Sequence, residues 1–266
     1  MEKLELHTLM CKKDIDWLKK TIKLFSYHSH LNFDLVIHDD GSLDAEDIAL
    51  LTNSLVNTSV ITRKYADAHI GDFLRKHTLS EYFRFAEHHT IFRIKLFDPF
   101  YFTMSNNVIY IDTDILFCKT PEFIHECLAK KVGFYLKDMS SAYCVPFRDE
   151  DNDKLIYRNI NAGLNYYPTK QHYNLDYIEE CLEILFSHGS RGATHPFLEQ
   201  TCIAYMITQL DKAGIPFVQL PHPEYCVPTF GEFRANHNLT ALHLNSSPLI
   251  GKWKTEHYEQ ELTKCI

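Results

Sequence analysis

Apolar positions along the chain switch between two periods. Short runs in which they alternate or continue unbroken are separated by stretches where they recur every three or four residues. LELHTLMC at 4–11 predicts a first strand. Asp14–Tyr27 predicts a helix, with Ile15, Leu18, Ile22 and Phe25 on one face. DLVIHDD at 34–40 predicts a second strand ending in Gly41-Ser42, and Asp44 is then placed to cap a helix carrying Ile48, Leu51 and Leu55. SVITRKY at 59–65 predicts a third strand. From Ala68 to Phe102 the period is helical and rich in aromatic residues, with a break expected at Asp98-Pro99. NVIYIDTDILF at 107–117 is the strongest strand signal: it is apolar on both faces, hence central and buried. Beyond it come a helix near Pro121–Lys130, a strand at 133–138, a strand-like segment NAGLNYYP at 161–168, helices at about 171–187 and 197–213, and a strand at 216–221. The tail predicts irregular chain closing in a charged helix.

Strands alternating with helices specify an α/β class with a mainly parallel central sheet flanked by helices. With no repeat and no low-complexity linker, residues 1–266 are expected to form a single domain. Composition changes little in this picture: 45% hydrophobic and 23% charged residues are those of an ordinary globular protein. A formal net charge of −8 argues against a nucleic-acid partner, yet it leaves room for a phosphate-bearing substrate if a bound cation supplies positive charge locally. The N-terminus has no apolar signal core and no run reaches the length of a transmembrane segment. Eight scattered cysteines without a CxxC pair predict reduced thiols in a cytoplasmic setting. The acidic run 149–153 lacks the glycine and the glutamate of a calcium loop, so it is expected to be solvated.

The chemistry concentrates in Asp112-Thr113-Asp114, at the end of the most apolar strand. Two carboxylates two residues apart on a regular strand face the same way. Buried there they need a partner, and a hard divalent ion, Mn2+ or Mg2+, suits oxygen ligands while leaving positions open to a diphosphate. Open α/β sheets bind ligands at the carboxyl ends of their strands, which is where this pair falls.

IYIDTDILF resembles the DxD segment of glycosyltransferases with the GT-A fold, closest to the glycogenin- and galactosyltransferase-like retaining members. Other segments follow in the order of that family. HDDGS at 38–42 resembles the turn in which an aspartate meets the nucleotide, which marks Asp39 and Asp40; Thr8 on the first strand joins them as a donor contact. Arg93 resembles the basic residue that helps fix the donor. NAGLNYYP resembles the segment lining the sugar and acceptor site, marking Asn161 and Gly163, and Leu198-Glu199-Gln200 resembles the acidic-Gln pair near the donor sugar, with Glu where Asp is usual. His243, followed by Gly251-Lys252-Trp253, resembles the C-terminal element whose His completes the metal site and whose Lys touches the diphosphate.

The resemblance implies a metal-dependent hexosyltransferase using a nucleotide-sugar donor, UDP-sugar before GDP-sugar, and a glycan, protein or small-molecule acceptor. It implies metal ligands Asp112, Asp114 and His243, and donor contacts through Thr8, Asp39, Asp40, Arg93, Thr113, Asn161, Gly163 and Lys252. Residues to about 117 would form the nucleotide-binding half, and 118–266 the acceptor half and tail. Glu199 or Asp138 would be the base of an inverting reaction, whereas in a retaining one Glu199 or Gln200 would steady the cationic sugar. The pattern leans to retention. Two rivals remain: a haloacid-dehalogenase-like phosphohydrolase with Asp112 as nucleophile, and an inactive transferase-like domain that binds glycans or a partner.

Overall fold

The computed structural model describes residues 3–86, 91–140, 142–147, 155–157, 159–189, 197–227 and 239–244. The chain opens with two successive βαβ units: β1 (Leu4–Met10), α1 (Ile15–Ser29), β2 (Phe33–Asp39), α2 (Ala45–Ser54) and β3 (Thr58–Ile61). Asp44 caps α2 as expected, in a capping box with Asp47: its side chain accepts from the backbone of Glu46 and Asp47. The third strand is shorter than its pattern suggests. Thr62 accepts from the Tyr65 amide and starts α3 (Arg63–His69), so the last residues of SVITRKY are helical. A local cap outcompetes β propensity there.

The aromatic-rich region forms α4 (Gly71–Leu74), α5 (Thr78–Phe85) and α6 (Ile94–Phe102). Pro99 lies inside α6 rather than ending it. Burial of Ile94, Leu96, Phe97 and Pro99 and the hold of Arg84 on the Asp98 carboxylate carry the helix through the position. Next come β4 (Asn107–Ile111) and β5 (Ile115–Phe117). The expected single strand 107–117 is thus two. It breaks at the Asp-Thr-Asp turn, and its halves join different sheets. The remaining elements are α7 (Glu122–Lys130), β6 (Gly133–Lys137), β7 (Ile160–Tyr167), α8 (Leu175–Ser187), α9 (Leu198–Lys212), β8 (Phe217–Gln219), β9 (Tyr225–Cys226) and β10 (Ala241–His243).

The main sheet has seven strands in the order β3-β2-β1-β4-β7-β6-β8. All neighbours pair parallel except β7, which runs against both β4 and β6. Its amino end therefore meets the carboxyl ends of the others. One face is covered by apolar residues of α1, α2 and α7, among them Leu18, Ile22, Leu51 and Ile124. The other is covered by α5, α6, α8 and α9, where Phe83, Phe97, Leu182 and Met206 are buried. Helix α9 is buried on nearly every side, from Leu198 through Thr208.

In the small sheet β5-β10-β9, β9 and β10 had no signal in the sequence, because two- and three-residue strands carry too few positions to show a period. β10 pairs antiparallel with β5, and Phe117 packs against Phe25 of α1. Fully burying a leucine contributes about 1.5–3 kcal/mol, so Leu242, buried with Leu24 and Leu116, anchors β10.

Candidate active site

Backbone pairing builds the site before any side chain enters. The amide of Asp112 donates to the Gly163 carbonyl at 2.8 Å, tying the end of β4 to β7. The Thr21 hydroxyl donates to the Thr113 carbonyl at 2.7 Å, and the Leu244 amide to the Asp114 carbonyl at 3.0 Å. The turn is thereby held by α1 and by the chain leaving β10. In the β10–β5 register His243 stands opposite Ile115, the residue after Asp114. A residue about 130 positions away in sequence is brought to the DxD turn by one short strand pair.

His243 Nε2 lies 3.2 Å from Asp114 Oδ1 and 3.5 Å from Asp112 Oδ2. The ligand atoms of these three residues fall within 4.8 Å of one another. Two carboxylates and an imidazole around one point suit a hard or borderline divalent ion, so the donor set fits the metal that the sequence implies. Burial lowers the proton affinity of His243, but Asp114 and Asp112 outweigh it and its pKa is raised.

Asp112 Oδ1 has its own partners. Lys95 Nζ of α6 lies 2.6 Å away, and Tyr110 donates to the same oxygen at 3.2 Å. Lys95 is buried. Burial alone would lower its pKa, yet Asp112 and Glu199 raise it, so it is a fixed cation. The sequence pattern did not mark it. Its signal was a lysine on the buried face of an apolar helix, Ile94-Lys95-Leu96-Phe97. Arg93, which the family resemblance favoured, is buried elsewhere: its Nε donates to the Arg84 carbonyl, and Arg63, Arg84, Asp67 and Asp98 are the charges around it.

The three catalytic candidates gather beside the turn in unequal states. Asp138 Oδ1 accepts from the Met139 amide at 2.7 Å, and Oδ2 accepts from Gln200 at 2.9 Å and Asn161 at 3.3 Å. Gln200 also donates to the Ala142 carbonyl and accepts from the Ala162 amide. Glu199 is different. Its Oε1 is buried with no hydrogen-bond partner among the described residues, 3.8 Å from Lys95. Burial pushes its carboxyl up to about 7, with Asp112 adding to the shift and Lys95 and His243 opposing it.

On the nucleotide side, Asp39 is consumed by the turn: it accepts from the amides of Gly41, Leu43 and Arg63. Asp40 uses one oxygen on the Ser42 amide and is only partly buried. Gly41 has φ +102°, which explains glycine in HDDGS. Thr8 is fully buried in β1, with its hydroxyl unpartnered among the described residues. Lys252 lies outside the described residues, as do the acidic run 149–153 and the C-terminal tail.

Solved structures share this architecture. Mouse xyloside xylosyltransferase 1 matches at 15% identity and a TM-score of 0.56, over 92% of this chain and 98% of its own. The galactosyltransferase LgtC, solved with donor and acceptor sugar analogues, matches at 11% identity and a TM-score of 0.56, over 98% and 96%. This is the GT-A fold. Core-mannan synthase A of Aspergillus fumigatus, in a Mn/GDP form, matches at 9% identity and a TM-score of 0.55, over 85% of this chain and 76% of its own. At these identities the likeness shows the GT-A fold alone. No protein-family model matches the chain, and no curated protein is similar to it in sequence.

Proposed function

We propose that the chain is a metal-dependent glycosyltransferase that moves a hexose from a nucleotide-diphosphate sugar, UDP-sugar before GDP-sugar, to an acceptor hydroxyl. The observation that carries this is the convergence of Asp112, Asp114 and His243 at the carboxyl edge of a GT-A sheet. The neighbours support it as sugar transferases, one of them solved with Mn and GDP. Asp112, Asp114 and His243 would hold Mn2+ or Mg2+, which when bound offsets the charge developing on the departing diphosphate.

The chain's own residues do the rest. Lys95 fixes Asp112 and adds a buried positive charge beside the diphosphate position. Asp40 is the carboxylate available to the nucleoside at the turn after β2. Thr8, Asp39, Thr113 and Gly163 shape the donor site through backbone and packing. In the reaction the bond from the anomeric carbon to the diphosphate breaks, a bond to the acceptor oxygen forms, and the acceptor proton passes to an oxygen of the departing diphosphate in retention or to a carboxylate in inversion. Asp138 has both oxygens engaged, so it is a weak choice as base, and Glu199 Oε1 is the group left to face the sugar. We therefore place retention ahead of inversion, with Gln200 holding Asp138 in place. The phosphohydrolase reading loses ground, because Lys95 and Tyr110 already occupy one oxygen of its would-be nucleophile Asp112. An inactive domain has no need of a complete ligand set.

We keep the single-domain division into a nucleotide half and an acceptor half, and a cytoplasmic setting, as part of this reading. The described cysteines are free thiols, and, separately from the question of compartment, no helix among the described residues is long and apolar enough to cross a membrane. The test is donor hydrolysis and transfer with a panel of UDP- and GDP-sugars in Mn2+, following nucleotide release and the anomeric proton of the product. Release from one donor with a retained anomer is the expected result; no release from any donor would sink the proposal.

A further inference from the structure

Asn161 and Gly163 attract a sugar-lining role by resemblance, but their contacts point to different work. The Asn161 amide has a fixed orientation: Oδ1 accepts from the Gly163 amide at 2.8 Å, while Nδ2 donates to Asp138 Oδ2 at 3.3 Å. The oxygen therefore faces His243 Nδ1, 2.9 Å away. A carbonyl oxygen cannot donate, so the imidazole must carry its hydrogen on Nδ1. Nε2 is left to face Asp112 and Asp114. Gly163 closes the seat from below. A Cβ on it would meet His243 Cε1 at 2.5 Å, His243 Nδ1 at 2.7 Å and Asn161 Oδ1 at 2.9 Å. The ring has no slack, since its other edge meets the two carboxylates.

We infer that the Asn161-Ala162-Gly163 segment is a seat for His243, with Asn161 a positioning residue that fixes the imidazole tautomer and aims the Nε2 lone pair at the metal position. Asn161 Oδ1, with both lone pairs taken, has no capacity left for a substrate hydroxyl. Without that oxygen the neutral ring is free to place its hydrogen on Nε2. It would then donate to Asp114 instead of offering a lone pair, and that contact would compete with the ion. The same amide joins the His243 side of the site to Asp138 and Gln200, so metal ligand and acceptor-side carboxylate share one support. The inference rests on the metal-site part of the proposed function.

The test uses Mn2+ alone, titrated calorimetrically into the full chain without nucleotide. Asn161→Leu should bind Mn2+ about 10–100-fold more weakly, the usual cost of losing such an outer partner. Gly163→Ala should weaken binding in the same direction, and His243→Leu sets the scale for losing the ligand itself. Wild-type affinity in Asn161→Leu, with His243→Leu weakened, overturns the seat. Unchanged affinity in His243→Leu also overturns it, but by a different failure: His243 would then not be a metal ligand at all. Should Asn161→Leu not fold, histidine 15N spectra of the wild-type chain loaded with diamagnetic Zn2+ decide the question instead. Nδ1–H with Nε2 bound is expected, and Nδ1 bound to the metal, or His243 unperturbed, contradicts the seat.

Discussion

Two buried polar clusters lie against the main sheet, and they obey opposite rules. The first sits between β1, β2 and the helices α3, α5 and α6. Arg84 is fully buried, yet Nε and Nη2 reach the two oxygens of Asp98 at 2.7 and 2.9 Å, and Nη1 reaches Asp67 at 2.8 Å. Beside it Glu5 accepts from His7, from the Thr103 hydroxyl and from the Met104 amide. His7 Nδ1 in turn pairs with His38 Nε2 at 2.9 Å. Apart from His38 Nδ1, these buried groups are saturated by one another. The second cluster, at the carboxyl edge, is not. Three carboxylates, Asp112, Asp114 and Glu199, gather around Lys95 and His243, and Glu199 Oε1 has no hydrogen-bond partner among the described residues. Burial of charge is common to both clusters; what separates the second is a buried carboxylate oxygen left without a hydrogen-bond partner among the described residues.

The comparison breaks most sharply under charge-neutral substitution. Asp112→Asn with Asp114→Asn should lower transfer about 10²–10³-fold or more, because the loss is of transition-state charge stabilisation, with a smaller loss of stability than Arg84→Met, since Glu199 remains beside Lys95. Arg84→Met should do the reverse. Leaving Asp98 and Asp67 without their cation should cost about 3–5 kcal/mol in urea unfolding, while the folded fraction binds Mn2+ normally. If both variants lost stability equally, the distinction between the clusters would fail.

A smaller effect is set by pH. Burial depresses the pKa of His7, His38 and His172, the last to about 4. The unfolded chain takes up these protons first as pH falls below about 6.5. Their contribution to stability should therefore be full at neutral pH and fall between about 6.5 and 4, by up to about 1.4 kcal/mol per unit for each histidine, while Glu199 and His243, whose pKa values are raised, act in the opposite direction. Urea titrations at pH 7 and 5 measure it, and His172→Phe should flatten part of the slope. Smallest of all, Asn174→Ala removes the cap that accepts from Asp176 and Tyr177 at the start of α8, for about 1 kcal/mol with unchanged Mn2+ affinity.

Much of the fold was legible in the sequence because its long elements carry strong periods. β1, α1, β2, α7, β7 and α9 fall within a few residues of their patterns. The Asp-Thr-Asp motif was legible as chemistry but not as geometry: a continuous strand was expected, and the chain turns there to deliver β5 to a second sheet. His243 could be marked only by resemblance, since β10 is too short to announce itself. Lys95 looked like a helix residue among apolar neighbours, and the resemblance pointed to Arg93, whose Nε donates to the Arg84 carbonyl. Local pattern cannot say which of two basic residues, two positions apart on one helical segment, faces the carboxylates.

The most direct test of the central claim is calorimetric titration of UDP and GDP into the protein with and without Mn2+, repeated on Asp112→Ala/Asp114→Ala. Binding of one nucleotide that requires Mn2+ and disappears in the double variant is the predicted result. Binding that is indifferent to both the metal and the two aspartates, or no binding under any condition, would contradict the assignment of this edge of the sheet as a metal-dependent donor site.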